Sequence, residues 1–85
     1  MVLRKWGLSK IDVSRMTQLT YLGVPYSKLE QIDLSALTKL KSFEGRNNRF
    51  KELDLSHQPN LELIEVISNE LTRLDITKKP RLYFV

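Results

Sequence analysis

The most regular chemical feature of the chain is a set of four aspartates that recur every 21 residues: Asp12, Asp33, Asp54 and Asp75. A serine or threonine follows each of them two positions later. Aligned carboxylates could bind a cation or act as the acid and base of a hydrolase. They could instead form Asx turns, in which a short polar side chain accepts a hydrogen bond from the backbone two residues ahead. We favour the turns, because a repeated structural motif explains the regularity without a ligand.

The other reactive residue types give no sign of catalysis. His57 is the only histidine and the chain has no cysteine, so neither a Cys/His zinc site nor thiol chemistry is expected. The glycines Gly7, Gly23 and Gly45 are isolated, whereas a phosphate-binding loop needs several glycines close together. The sequence therefore predicts a protein without a catalytic residue, metal or cofactor, and not an enzyme.

These residues are positioned by a repeat with a period of 21 residues. Starting at Leu8, three full units and one partial unit align without gaps, and we number the positions of the unit as columns 1 to 21. Six columns are apolar in nearly every unit: columns 1, 4, 6, 12, 15 and 17. A period of this length predicts a solenoid, in which equivalent side chains of successive coils stack into ladders.

Two helical alternatives fit the repeat less well. A period of 21 equals three heptads, but the heptad positions that follow Leu8 and Ile11 include Arg15, Gln18 and Pro25. A coiled-coil seam does not accept these residues in succession. Separate helices would be interrupted by three prolines, and the segments YLGV, LIEV and LYFV have the alternation and residue types of strands. Short strands are favoured.

The repeated segments carry a family resemblance. LTYLGVPYSKL, LKSFEGRNNRF and LELIEVISNEL resemble the LxxLxxxxxxL segment of leucine-rich repeats, and the remaining LxxLDLS part is similar to the 21-residue bacterial subclass. The resemblance implies one leucine-rich-repeat solenoid of about four coils, with short parallel β-strands on the concave side, an extended or irregular convex side and little helix. The single domain 1–85 is expected to comprise a partial N-terminal coil 1–7, coils 8–28, 29–49 and 50–70, and an incomplete C-terminal coil 71–85.

Column 20 and column 17 contain departures from the family pattern. In the family, an asparagine in column 20 bonds backbone groups in the turn between coils, as expected here for Asn48 and Asn69. Ser27 is expected to fill this role in part, whereas Trp6 cannot accept these bonds and is expected to shield an open end. Gly45 interrupts the apolar column 17, and we expect a dent in the core there.

Columns 14, 16, 18 and 19 flank the buried strand positions and repeat least, so they are the positions most available to a partner. We call this surface the concave face. Tyrosine, arginine and exposed apolar residues typically anchor protein interfaces. The predicted function is a non-enzymatic protein–protein interaction scaffold with these candidate binding residues: Tyr21, Tyr26, Glu44, Arg46, Leu63, Glu65, Ile67 and Phe84.

The net charge of +4 leaves a weak polyanion or nucleic-acid binder as an alternative. The concave face mixes Arg4, Lys5 and Arg46 with Glu44 and Glu65, so nucleic acid is a less favoured partner than protein. Positive charge gathers instead in a small patch toward the carboxyl end, formed by Lys78, Lys79 and Arg81.

The chain ends introduce two further hypotheses. The segment Leu82, Tyr83, Phe84 and Val85 is expected to form an open strand edge that could support homo-oligomers. Alternatively, the chain is a structural spacer or a fragment of a larger array, whose neighbour supplies the missing cap. No apolar run is long enough for a membrane span or a secretory signal, so a cytoplasmic location without membrane contact is expected.

Overall fold

The computed structural model describes residues 9–83, which form a stack of coils. Each of the first three coils contributes one three-residue strand: β1 (Tyr21–Gly23), β2 (Ser42–Glu44) and β3 (Leu63–Glu65). The strands form one parallel sheet in the order β1-β2-β3. The pairing joins Leu22 to Phe43 and Phe43 to Ile64, residues 21 positions apart. The predicted ladder of short parallel strands is confirmed.

Backbone hydrogen bonds continue the ladder beyond the strands. Val24 N donates to Glu44 O at 2.8 Å, and Gly45 N donates to Glu65 O at 2.8 Å. Tyr83 N donates to Glu62 O at 2.9 Å, so the fourth coil follows the third in the same register. No helix occurs within residues 9–83, as expected for an irregular convex side.

Two consecutive turns close the convex side of each coil. In the second coil, Leu37 N donates to Leu34 O at 2.9 Å and Leu40 N donates to Leu37 O at 3.2 Å. The third coil repeats this arrangement with Gln58 as the shared corner residue. This corner is column 9, and in the second and third coils its side chain is directed inward, since Leu37 and Gln58 are both fully buried. The sequence columns did not indicate this seventh buried position.

The core lies between the strands and these turns. Columns 1, 6, 12, 15 and 17 supply most of its fully buried side chains, as predicted. Column 4 differs, because Ile11, Ile32, Leu53 and Leu74 are only half-buried against the core. In the fourth coil, Ile76 is 42% exposed, since no further coil of residues 9–83 packs against it. The buried apolar core comprises Val13, Leu22, Val24, Leu29, Leu34, Leu37, Leu40, Phe43, Phe50, Leu55, Leu61 and Ile64.

The predicted dent at Gly45 is wrong. A Cβ atom added to Gly45 would lie 2.8 Å from Phe43 Cε2 and 3.0 Å from Phe50 Cε2, so the space is already occupied. The two rings are tilted by 52° with their centroids 6.3 Å apart. Two phenylalanines in columns 15 and 1 therefore compensate for the missing side chain in column 17, which a column-by-column comparison could not show.

The column 20 asparagines connect successive coils. Asn48 Oδ1 accepts a hydrogen bond from Leu29 N at 3.2 Å, while its Nδ2 donates to Val24 O at 2.8 Å and Gly45 O at 3.1 Å. Asn69 repeats the pattern, accepting from Phe50 N at 3.0 Å. The turn role implied for Asn48 and Asn69 is confirmed, and Ser27 is buried in the same column.

Several sequence-based expectations lie outside the described residues. They are the partial coil 1–7 with Trp6, the first column residue Leu8, and the terminal pair Phe84 and Val85.

Candidate partner-binding face

The parallel register brings the predicted binding residues together on one side of the sheet. Glu44 and Glu65 are paired across β2 and β3, and Tyr21 aligns with Ser42 and Leu63 in column 14. Alternate residues of a strand project to the same face, so Arg46 and Ile67 continue the rows that begin at Glu44 and Glu65. Phe84 alone among the eight candidates lies outside the described residues.

A polar network links three coils of this concave face. The Tyr21 hydroxyl donates to Glu44 Oε2 at 2.8 Å. Arg46 Nε lies 3.2 Å from Glu44 Oε1, and Arg46 Nη1 lies 3.6 Å from Glu65 Oε1. The contact of Arg46 Nε is an ion pair without hydrogen-bond alignment. One guanidinium thus separates two carboxylates that would repel each other in adjacent strands.

Tyr26 occupies an unusual backbone conformation beside this network. Its φ is 55°, and Asn47 and Ser68 in the same column have φ values of 58°. The left-handed region suits asparagine and costs a bulky residue about 1–2 kcal/mol. Tyr26 is nevertheless 43% exposed, with its ring centroid 5.5 Å from the Arg46 guanidinium carbon. The cation–π contact offsets part of the backbone cost.

The third coil adds apolar surface to the concave face. Leu63 is half-buried, whereas Ile67 is 64% exposed. Glu65 lies between them on the same face of the chain. The third coil therefore places an exposed isoleucine next to the charged network.

The predicted edge residues are only partly described. Leu82 packs half-buried against the core, while Tyr83 is 74% exposed although its backbone N–H bonds to the third coil. Homo-oligomer formation through this edge stays a prediction.

The aspartate column forms the favoured turns. In each coil the Asp Oδ1 accepts the backbone N–H of the residue two positions ahead, at 2.9 to 3.0 Å. Hydrogen bonds from the following Ser or Thr hydroxyl, and then from its backbone N–H, lower the pKa of all four aspartates. Across residues 9–83, no group of three or more His, Asp or Glu side chains is placed to hold a metal.

This arrangement predicts acid-dependent stability. A lowered folded-state pKa means that the aspartates stabilise the fold above their unfolded pKa of about 4, and that this contribution is lost as the pH falls through the folded values. Asp54→Asn keeps an acceptor oxygen but does not titrate. We expect it to be less stable than the wild type at pH 7, and the difference should shrink toward pH 3 in urea unfolding experiments.

Glu52→Gln is a matched control, because Glu52 is exposed and precedes Asp54 by two positions without taking part in the turn. A difference between the wild type and Asp54→Asn that stays constant from pH 7 to pH 3 would contradict the role assigned to the turn.

His57 is an exposed residue. Its Nδ1 lies 3.2 Å from Ser56 Oγ. Asp54 is close by, but its Oδ1 accepts from Ser56 rather than orienting the imidazole. In a catalytic triad, the carboxylate holds the histidine and the histidine contacts the serine hydroxyl. Here the Asp54 carboxylate accepts the backbone N–H of Ser56 instead, so the three residues are not arranged as a triad.

The parallel ladder, the asparagine-bonded coil junctions and the 21-residue stacking define the class: the chain is a leucine-rich-repeat protein. Among solved structures it is similar to the functional domain of InlJ from Listeria monocytogenes, with 33% identity and a TM-score of 0.84. The similarity covers 88% of this chain and 17% of that one, so the chain spans about a sixth of the InlJ structure. No protein-family model and no curated protein matches the sequence.

One difference from InlJ is chemical. The InlJ domain is described as including a cysteine ladder, whereas the present chain has no cysteine. The stacked asparagines and apolar columns connect the coils here.

Among the residues from 9 to 83, no helix is long and apolar enough to cross a membrane.

Proposed function

We propose that this leucine-rich-repeat chain is a non-enzymatic module that binds a protein partner through its concave face. The observation that carries the proposal is the cluster of Tyr21, Tyr26, Glu44, Arg46 and Glu65, with Leu63 and Ile67 beside it. The interior columns are dictated by packing, but none of these side chains is required to fill the core.

Tyr26 gives the strongest single support. The turn in column 19 requires a left-handed residue, and Asn47 meets this requirement at lower cost. Backbone strain at an exposed position is typical of functional sites. A tyrosine presents a large, rigid contact area with a polar tip, which is the property that makes it common at binding hot spots. Tyr26 is therefore better explained by binding than by folding.

The similarity to InlJ supports a repeat-type interaction fold. Because the chain spans only 17% of the InlJ structure, the activity and partners of that whole protein are not transferred to this chain. The cytoplasmic location expected from the sequence also stays a prediction, as does the spacer or array-fragment alternative.

A polyanion partner is less consistent with the charge distribution. Two carboxylates face one guanidinium in the concave network. Near the carboxyl end, the hydrogen bonds from Thr77 lower the pKa of the Asp75 carboxyl most, and the nearby charges of Lys79 and Lys78 lower it further. A stripe of unpaired cations, which phosphate backbones require, is not formed by these residues.

Inverting the charges of the network tests the proposed face. The triple variant E44K/R46E/E65K keeps opposite charges adjacent, so its stability should stay within about 1 kcal/mol of the wild type. Its charge pattern is reversed, and we expect at least a tenfold loss of affinity for a protein partner recovered by affinity capture with the wild-type chain. Isothermal titration calorimetry with that purified partner measures the loss, and circular dichroism checks the fold.

The matched control is E30K/K51E/E52K, which makes the same three reversals at exposed residues outside the concave face. Partner affinity should be unchanged in this variant. If the concave variant folds and binds as tightly as the control, the partner does not use the concave face.

A further inference from the structure

The third coil presents an acidic side chain between two apolar ones. Leu63, Glu65 and Ile67 alternate along the chain and project from the same side of β3 and its extension. Ile67 is 64% exposed, and the Glu65 side chain retains 28% of its accessible surface. The Glu65 side chain is thus partly accessible to solvent, with an apolar side chain on either side of it.

Glu65 is also the less neutralised of the two glutamates. Glu44 has both oxygens engaged, one by Arg46 Nε at 3.2 Å and the other by the Tyr21 hydroxyl at 2.8 Å. Within the described chain, the Glu65 carboxylate has a single polar contact, with Arg46 Nη1 at 3.6 Å through Oε1. Two carboxylates share one guanidinium, which leaves one excess negative charge nearest Glu65.

We infer that the concave face recognises a lysine or arginine side chain of its protein partner, with the cationic head at Glu65 and the aliphatic stem across Leu63 and Ile67. This inference rests on the proposed function and specifies its ligand chemistry. Long basic side chains bury their methylene stems along apolar surface while their charge stays at a polar group. The order apolar, acidic, apolar matches that shape.

Other cations fit the same position less well. A divalent metal requires several oxygen ligands at short distance. Here Arg46 already lies between the two carboxylates, and residues 9–83 hold no metal-competent group of three acidic or histidine side chains. A small ammonium ion would leave the flanking Leu63 and Ile67 unused. A basic side chain uses all three residues.

Capped pentapeptides test the inference directly. Amide chemical shifts of the 15N-labelled chain are followed while Ac-GLRLG-NH2, Ac-GLQLG-NH2 or Ac-GLELG-NH2 is added at low ionic strength. The arginine peptide should shift the amides of 63–67 and bind at least threefold more tightly than the glutamine peptide, and the glutamate peptide should bind most weakly. Addition of salt should lower the affinity of the arginine peptide alone, because salt screens the attraction between its charge and the Glu65 carboxylate.

Single variants locate the charge that is recognised. Glu65→Gln should lower the affinity for the arginine peptide about three- to tenfold and remove the preference for this peptide over the glutamine peptide. Glu70→Gln removes the same charge from an exposed position outside the concave face and should have no effect. Equal binding of all three peptides, or an unchanged preference in Glu65→Gln, would overturn the inference.

The outcomes separate this inference from the proposed function. If E44K/R46E/E65K loses its protein partner but Glu65→Gln leaves peptide preference and partner affinity intact, the concave face binds by other contacts and only the inference fails. If the arginine peptide binds at 63–67 while the triple variant keeps full partner affinity, the proposed function fails instead.

Discussion

Replacing Asn48 with alanine is expected to lower the free energy of unfolding by about 2–6 kcal/mol, because two buried backbone groups would lose their partners at about 1–3 kcal/mol each. Leu29 N donates to Asn48 Oδ1, and Val24 O accepts from Asn48 Nδ2. Gly45 O is less affected, since Asn69 Nδ2 also donates to it at 2.9 Å. Urea unfolding followed by circular dichroism measures the change.

Two further substitutions bracket this effect. Asn48→Ser should lose less stability than Asn48→Ala, because serine retains a polar oxygen and column 20 already contains a buried serine, Ser27, in the first coil. Asn60→Ala is the matched control, since the Asn60 side chain has no hydrogen bond to residues 9–83 and should cost well under half as much. Equal losses for Asn48→Ala and Asn60→Ala would show that the coil junction does not depend on the Asn48 amide.

Introducing valine at Gly45 is expected to destabilise the fold by about 1–3 kcal/mol through overpacking. The first added carbon would already lie 2.8 Å from Phe43 and 3.0 Å from Phe50, both fully buried. Neither ring can move without displacing other core side chains, because protein interiors are close-packed. Thermal and urea unfolding of the variant measure the loss.

A compensating variant makes the prediction specific. F43L/G45V/F50L places leucine, valine and leucine in columns 15, 17 and 1, the residue types found at Leu22, Val24 and Leu29. Its stability should return to within about 1.5 kcal/mol of the wild type, as volume-conserving core exchanges usually do.

Gly23→Ala is the control for a similar close approach. The atom that a Cβ would meet at 2.8 Å there is the Tyr21 hydroxyl, at the far end of a side chain that can turn aside. Gly23→Ala should therefore cost less than Gly45→Ala. The reverse order would mean that the two phenylalanine rings do not set the limit at Gly45.

Most of the fold was predictable from column membership. A leucine in column 12 of every unit implies that Leu40 and Leu61 stack in one interior ladder, because identical coils place identical positions above one another. The prediction missed column 9, where the buried residues include Leu37 and Gln58. Because this column includes polar residues, its composition did not predict that Leu37 and Gln58 would point into the core. The polar Gln58 is accepted there because its side-chain amide donates a hydrogen bond to Leu34 O at 2.6 Å.

The candidate site was predictable as a set of residues but not as an arrangement. Variation between units identified Glu44, Arg46 and Glu65 as outward positions. It could not indicate that the Tyr21 hydroxyl of β1 reaches Glu44 in the adjacent strand β2, or that Arg46 lies between both glutamates. These contacts depend on the rotamer of each side chain, and the rotamer is determined by the residues that surround it in space.

The repeat length, the parallel stacking and most of the interior follow from the order of the residues alone, because a regular period leaves few ways to bury the same columns in every coil. The way in which Phe43 and Phe50 fill the space at Gly45, and the place where charge remains on the concave face, become visible only in the folded chain. Both depend on departures from the repeat. A departure acts through the neighbours it meets in space, and those neighbours belong to other columns and other coils.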